Sequence, residues 1–351
     1  MSATILGLGW GTFDSLWGQS LLKSLGVLAA VLLPAGTFVY VFLFKMVSFM
    51  QSRLGPMEAG PFGSMQLLAE VGKFLQKEDI VPERADRKLF KLAPYLVVGT
   101  VLLVYLVIPF GPDLYFANLD VGLFYAMAVS SIGSLGVLLA GWSSANKYSL
   151  IGGLRAAGQL IAYELPMVLA IIGVVIQAGT MNLQGIVYAQ ANGSIFGVDI
   201  IGNPYVISQF LGFVIFMIAV QAELGQTPFD MPIAESELVT GYITEYSGLR
   251  FLLFFIGEFA AAGSFAAIGA TIFLGGWAVP TAWADIDSNL FNLLGPIILL
   301  TKMMILGGLI FFIRFTFPRF REDQLQRLAW TVLIPLSLLN IGITTILKVA
   351  F

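Results

Sequence analysis

The sequence predicts an all-α integral membrane protein with eight transmembrane helices and an amphipathic interfacial helix in the first cytoplasmic loop. Composition comes first: of 351 residues, 58% are apolar and only 11% charged. The mean hydropathy is +0.89, and a soluble globular chain carries roughly twice that share of charge. Apolar runs of about 20 residues, the length that crosses a bilayer, then recur along the whole chain. Finally, the basic residues fall on alternate connecting segments. The expected organisation is a single polytopic membrane domain over residues 1–351.

Apolar runs between polar or Pro/Gly-rich breaks place the spans near 21–44, 92–110, 122–141, 159–178, 205–222, 251–275, 294–316 and 329–350. The first is too long for a signal-peptide core and reaches Lys45 without a small-residue cleavage site, so it is expected to stay in the mature chain. The first loop carries Lys45, Arg53, Lys73, Lys77, Arg84, Arg87, Lys88 and Lys91, and the third Lys147 and Arg155. Arg250 lies in the fifth, and Arg314, Arg319, Arg321 and Arg327 in the seventh. The even-numbered loops hold acids such as Asp113, Asp120, Asp199, Asp285 and Asp287 and no Lys or Arg. By the positive-inside rule the odd loops face the cytoplasm and both termini the outer, periplasmic side. Within the first loop, residues 62–78 set Phe62, Leu67, Leu68, Val71, Phe74 and Leu75 on one helical face and Glu70, Lys73 and Lys77 on the other, the pattern of a helix lying in the interface plane.

The chain has no cysteine and no histidine. Iron–sulfur clusters, thiolate zinc sites, His-ligated haem and triads built on His are therefore excluded, and any redox centre belongs to a partner. Eighteen basic against 21 acidic side chains, net −3, supply no basic face for nucleic acid.

Acids inside the spans are the informative residues, because an ionised carboxylate at the membrane centre costs roughly 2.5–3.5 kcal/mol on insertion scales. Glu164 sits in Ile161-Ala-Tyr-Glu-Leu-Pro166, Glu223 closes the fifth span, and Glu258 lies in Gly257-Glu-Phe-Ala260. Three such acids in one small domain point to a proton or ion path, against the alternative of structural acids with basic or hydroxyl partners. The loop at 223–250 adds Asp230, Glu235, Glu237 and Glu245 with only Arg250 nearby. Pro228 and Pro232 stiffen it, and Phe229, Leu238, Tyr242 and Tyr246 make it apolar. A buried, mutually repelling cluster with raised pKa values is expected there.

The motifs Gly141-Trp-Ser-Ser-Ala-Asn-Lys-Tyr-Ser-Leu-Ile-Gly-Gly-Leu-Arg155, Tyr163-Glu164, Pro228-Phe-Asp230 with Ala234-Glu-Ser-Glu237, Thr244-Glu-Tyr246 and Lys77-Glu-Asp79 closely resemble the H-subunit family of bacterial respiratory complex I, NADH:quinone oxidoreductase. Subunit 1 of mitochondrial NADH dehydrogenase is its counterpart. The likeness runs in order over nearly the whole chain, including Ala85-Asp-Arg87 and Leu274-Gly-Gly-Trp277.

That resemblance implies a heel subunit of the membrane arm in a proton-translocating oxidoreductase of the bacterial cytoplasmic (inner) membrane. Quinone would be the substrate, and this chain would carry no metal or iron–sulfur cluster. The implied partners are iron–sulfur and quinone-site subunits of the hydrophilic arm, neighbouring small membrane subunits, antiporter-like subunits and lipid. Glu164, Glu223, Glu235, Glu237 and Glu258 would belong to an acidic proton path, and Asp230, Arg155 and Glu245 to the quinone chamber. The sequence departs from the family pattern where a Glu-Arg pair falls on Leu43 and Phe44, an Asn-Arg pair on Met57 and Glu58, an Arg on Gln226 and an acid on Ile233. Joint loss of opposite charges avoids leaving one buried alone. Two other readings explain membrane acids: the membrane anchor of a related hydrogenase or ferredoxin-linked complex, and a stand-alone ion carrier. The carrier reading predicts an internal repeat that the sequence lacks.

Overall fold

The computed structural model describes residues 16–193, 202–279 and 289–350, without the side chains of 16–21, 235–236, 289–291 and 350. Asp199, Asp285 and Asp287 lie outside the described residues. Among the described residues every regular element is a helix.

Helix α1, Leu16–Phe38, runs on through a π-helical stretch, Val39–Met46, to Met50. A short helix α2, Gln66–Gln76, follows in the first loop. Then come α3, Arg87–Tyr105, α4, Gly122–Ser143, and α5, Lys147–Ala178. Helix α6, Leu183–Ala191, is short, and α7 is Phe210–Glu223. Helices α8, Gly248–Phe273, and α9, Asn289–Thr316, lead to α10, Glu322–Arg327, which continues through a π-helical stretch into Ile334–Ala350.

Seven of these helices are long and apolar enough to cross a membrane. The expected eighth, 205–222, is a 14-residue helix preceded by a single turn, Tyr205–Ser208, with a break at Gln209. Fourteen residues span about 21 Å, less than the ~30 Å of hydrocarbon. Most of the long helices begin before their apolar runs, and in two of them a polar cap sets the start. The Asp86 carboxylate accepts from the amides of Lys88 and Leu89, and Asn146 caps α5 through the amide of Tyr148. Helix α5 therefore begins twelve residues before its expected start at 159.

Helix α4 packs on α3 and α5, α5 on α7 and α10, and α8 on α1, α3 and α9. One buried apolar cluster runs through these contacts from Val27 to Leu333. Helix α2 is shorter than the expected 62–78, and its apolar residues divide. Phe74 stacks on Phe251 of α8 at 5.3 Å, while Leu68 and Leu75 are exposed, as is Phe62 in the turn before the helix.

The loop between α7 and α8 seats on α5 backbone to backbone. A Cβ on Gly152 would lie 2.8 Å from the Gly241 Cα. Gly241 itself has φ +59, and a Cβ there would fall 1.7 Å from the Pro232 carbonyl oxygen, so the turn requires glycine. Farther along, Tyr246 stacks flat on Phe90 at 4.0 Å and donates its hydroxyl to the Phe90 carbonyl.

Candidate functional site

The end of α7, the middle of α8 and the faces of α3 and α4 line a partly open cavity of about 110 Å³. Polar groups from five segments reach it: Thr100 of α3, Ser130 and Ser134 of α4, Glu223 of α7, Glu258 and Ser264 of α8, and Tyr242 of the loop. The rest of its wall is apolar, with Val97, Val101, Val104 and Phe254 among the lining residues. A polar cavity of this size has room for several water molecules.

Two carboxylates line that cavity and a third stands beside them. The Oε2 atom of Glu223 is buried without a hydrogen-bond partner, and Glu164 on α5 is an acid within electrostatic reach of it. Glu164 accepts a short hydrogen bond from the Ser131 hydroxyl. Across the cavity, Glu258 pairs with Arg314 of α9 at 2.9 Å. The guanidinium lies about 6 Å from the rings of Phe259, Phe311 and Phe315, an aromatic setting that favours a cation with little water. Glu258 thus has the basic partner of a structural acid and also a face on the cavity.

Sequence reasoning gave Tyr242 only as an apolar loop residue and Arg314 only as a loop cation, and it did not single out the serines. Tyr242 stands at the loop end of the cavity, where burial first, then the Glu258 and Asp230 carboxylates, push its phenol well above the usual range. The available signal was Ser130-Ser131-x-x-Ser134, whose spacing stacks hydroxyls along one side of a helix.

Among the described side chains, the acids of the 223–250 loop do not form the expected shared cluster. Glu237 is 44% exposed and clamped between Arg155 at 2.7 Å and Arg319 at 3.1 Å. The Arg155 hydrogen bond, with further attraction from both guanidinium groups, holds its carboxyl below the usual range rather than above it. Cations absent from the loop itself arrive from α5 and from the segment after α9. Arg155 also reaches Glu322 at 3.6 Å, so a residue expected in the chamber and one expected on the proton path are partners in one ion network. Glu245 accepts from Asn146 in an open groove that also contains Glu83, Arg84 and Lys147. Asp230 is half-buried and within electrostatic reach of Tyr242. The side chain of Glu235 lies outside the described residues. Arg250, the basic residue inside the loop segment, pairs with Asp79 at 3.0 Å instead.

The positions that depart from the family pattern carry little charge in space as well. Leu43 and Phe44 pack against the main core. Lys45 donates to the Pro56 carbonyl at 2.8 Å and approaches the Met57 sulfur at 3.3 Å. Gln226 is 1% exposed, with neither amide atom hydrogen-bonded, and Ile233 is half-buried. Among the described residues no group of three acids could hold a metal ion.

A family model described as NADH dehydrogenase matches residues 22–345. The chain is 44% identical over 337 residues to the NADH-quinone oxidoreductase H subunit of Brevibacillus brevis, covering 96% of this chain and 94% of that one. It is 41% identical over 343 residues to the H subunit of Bacillus cytotoxicus and 42% identical over 343 residues to that of Bacillus thuringiensis. Each of those two alignments covers 97% of this chain and 96% of the relative.

Proposed function

The chain belongs to the NADH dehydrogenase family, and we propose that it serves as the membrane-embedded H subunit of an NADH-quinone oxidoreductase, forming part of the quinone chamber and the entry of a proton path. The observation that carries the proton path is the shared cavity: Glu223 and Glu258 line one space with room for water, and Glu164 stands beside Glu223. A proton on Glu223 passes through cavity water to Glu258, with the hydroxyls of Ser130 and Ser134 able both to donate and to accept along the way. Arg314 stands as the counter-charge of the Glu258 carboxylate once the proton has moved on.

In this reading residues 1–351 form a single polytopic domain with eight spans, the short α7 and the turn before it making the fifth. Helix α2 lies in the interface plane, where its exposed Leu68 and Leu75 meet lipid. The face bearing Arg155, Glu237 and Arg319 is cytoplasmic, and both termini lie on the outer side. Asp230, Arg155 and Glu245 belong to the chamber side, and Glu235 and Glu237 join the path to it. Quinone is the substrate. The redox centres sit on partner subunits of the hydrophilic arm, since this chain has no thiolate or imidazole to hold them.

The test is proton translocation and quinone reduction by assembled complex carrying Glu223→Gln, Glu258→Gln or both. Assembly retained with pumping lost supports the path. Native pumping in the double variant removes it.

A further inference from the structure

Lys302 lies on α9, twelve residues from Arg314 and so about 18 Å along the helix. Its Nζ donates to the carbonyls of Gly276 at 2.7 Å and Ala278 at 2.9 Å. Both belong to the turn that ends α8, where Gly275 and Gly276 have φ of +74 and +53 and the Gly276 amide returns to the Ala270 carbonyl. Among the described residues no ion pair of 4 Å or less includes Lys302. A lysine inside a spanning helix is costly and is a functional candidate by default.

Between this lysine and the acid cavity the α8 side chains are buried and apolar. The last α8 residue to line the cavity is Phe265, and the helix ends about 12 Å further on at Phe273. Ala266, Ala267, Ile268, Ala270, Ile272 and Phe273 are all no more than 1% exposed. Phe216 and Leu306 close on Gly269, with 3.0 and 3.1 Å to a Cβ placed there, so the packing on that side of the helix is tight. Beyond this layer, Gln190 takes up the Thr271 carbonyl at 2.9 Å.

We propose that Lys302 is a fixed cation that closes the acid cavity to the outer face, holding the α8 turn shut and repelling protons arriving from that side, so that Glu223 and Glu258 exchange protons with the other side only. The physics is that of pores in which an anchored positive group excludes protons and cations. The proposal rests on the proton-path reading for what it isolates.

The experiment measures passive proton leak, without electron donor, through assembled complex in sealed vesicles under an imposed pH gradient. Lys302→Met and Lys302→Gln are expected to raise leak severalfold, and Lys302→Arg to keep it at the native level. Gln keeps amide donors for the turn but removes the charge, so a merely structural cap would leave Lys302→Gln tight, and that result overturns the proposal. Native leak in Lys302→Met also overturns it, as does a leaking Lys302→Arg. Should Lys302→Met fail to assemble, Lys302→Gln carries the same reading. Adding Glu258→Gln to a leaking variant separates the two ideas. Leak abolished places the acids on the route, whereas leak unchanged removes the acid path and leaves the barrier standing.

Discussion

Glu258 of α8 and Arg314 of α9 meet at 2.9 Å beside a cavity that Glu223 also lines. Each side chain is about one-quarter exposed, so this pair is neither fully buried nor fully screened. It fixes one end of the α8–α9 contact and anchors a cation behind one wall of the cavity.

Arg314→Met leaves the Glu258 carboxylate without its cation. Complete burial would make that loss 3–5 kcal/mol, and partial exposure reduces it to about 1–3 kcal/mol. The combined Glu258→Gln, Arg314→Met variant should recover part of that stability. Thermal unfolding of the purified complex checks the cycle, and equal destabilisation of single and double variants would count against the pairing.

Glu223→Gln should lower coupled proton translocation about tenfold or more, equivalent to ~1.4 kcal/mol on the transfer barrier. Assembly should persist, because the amide keeps the shape of a group whose Oε2 has no hydrogen-bond partner. Initial pumping rates in vesicles, normalised to assembled complex, give the comparison.

Acidification should loosen the α7–α8 loop through Glu237. Its folded pKa is lowered, so the clamp contributes fully above the ordinary carboxylate pKa of about 4.3 and is lost as pH falls through the folded value. Exposure limits the effect to roughly 0.2–1 kcal/mol. Hydrogen exchange over residues 232–247 should rise at low pH in the native chain, and Glu237→Gln should show the faster exchange already at neutral pH.

Gly241→Ala should unseat the same loop, because the added carbon would fall 1.7 Å from the Pro232 carbonyl oxygen and the residue sits at φ +59. A cost of at least about 1–3 kcal/mol follows from the backbone strain alone. Gly225, also at positive φ but with open space around it, offers the contrast: alanine there meets the strain and no clash. Thermal stability of the two variants should rank accordingly.

The long spans were legible because apolar length is a one-dimensional property, and Glu164, Glu223 and Glu258 stood out because carboxylates are rare in such runs. The short α7 was harder to place, since the break at Gln209 depends on local backbone angles and leaves the apolar count unchanged. The loop acids misled for a different reason. Repulsion within 230–245 could be counted along the sequence, but the cations that quench Glu237 are Arg155 and Arg319, each 82 residues away. Tyr242 likewise read as an apolar loop residue until folding put its phenol at the cavity beneath two helices.

Where Gly152 meets Gly241, main chain rests on main chain, and no rotamer lies between them to absorb a push. A force that pressed the loop toward α5 would therefore bear on the helix backbone directly, as a weight bears on a beam. Glu164 stands on the same helix twelve residues, or about 18 Å, beyond that contact, so the loop's seat and the membrane carboxylate share one rigid rod.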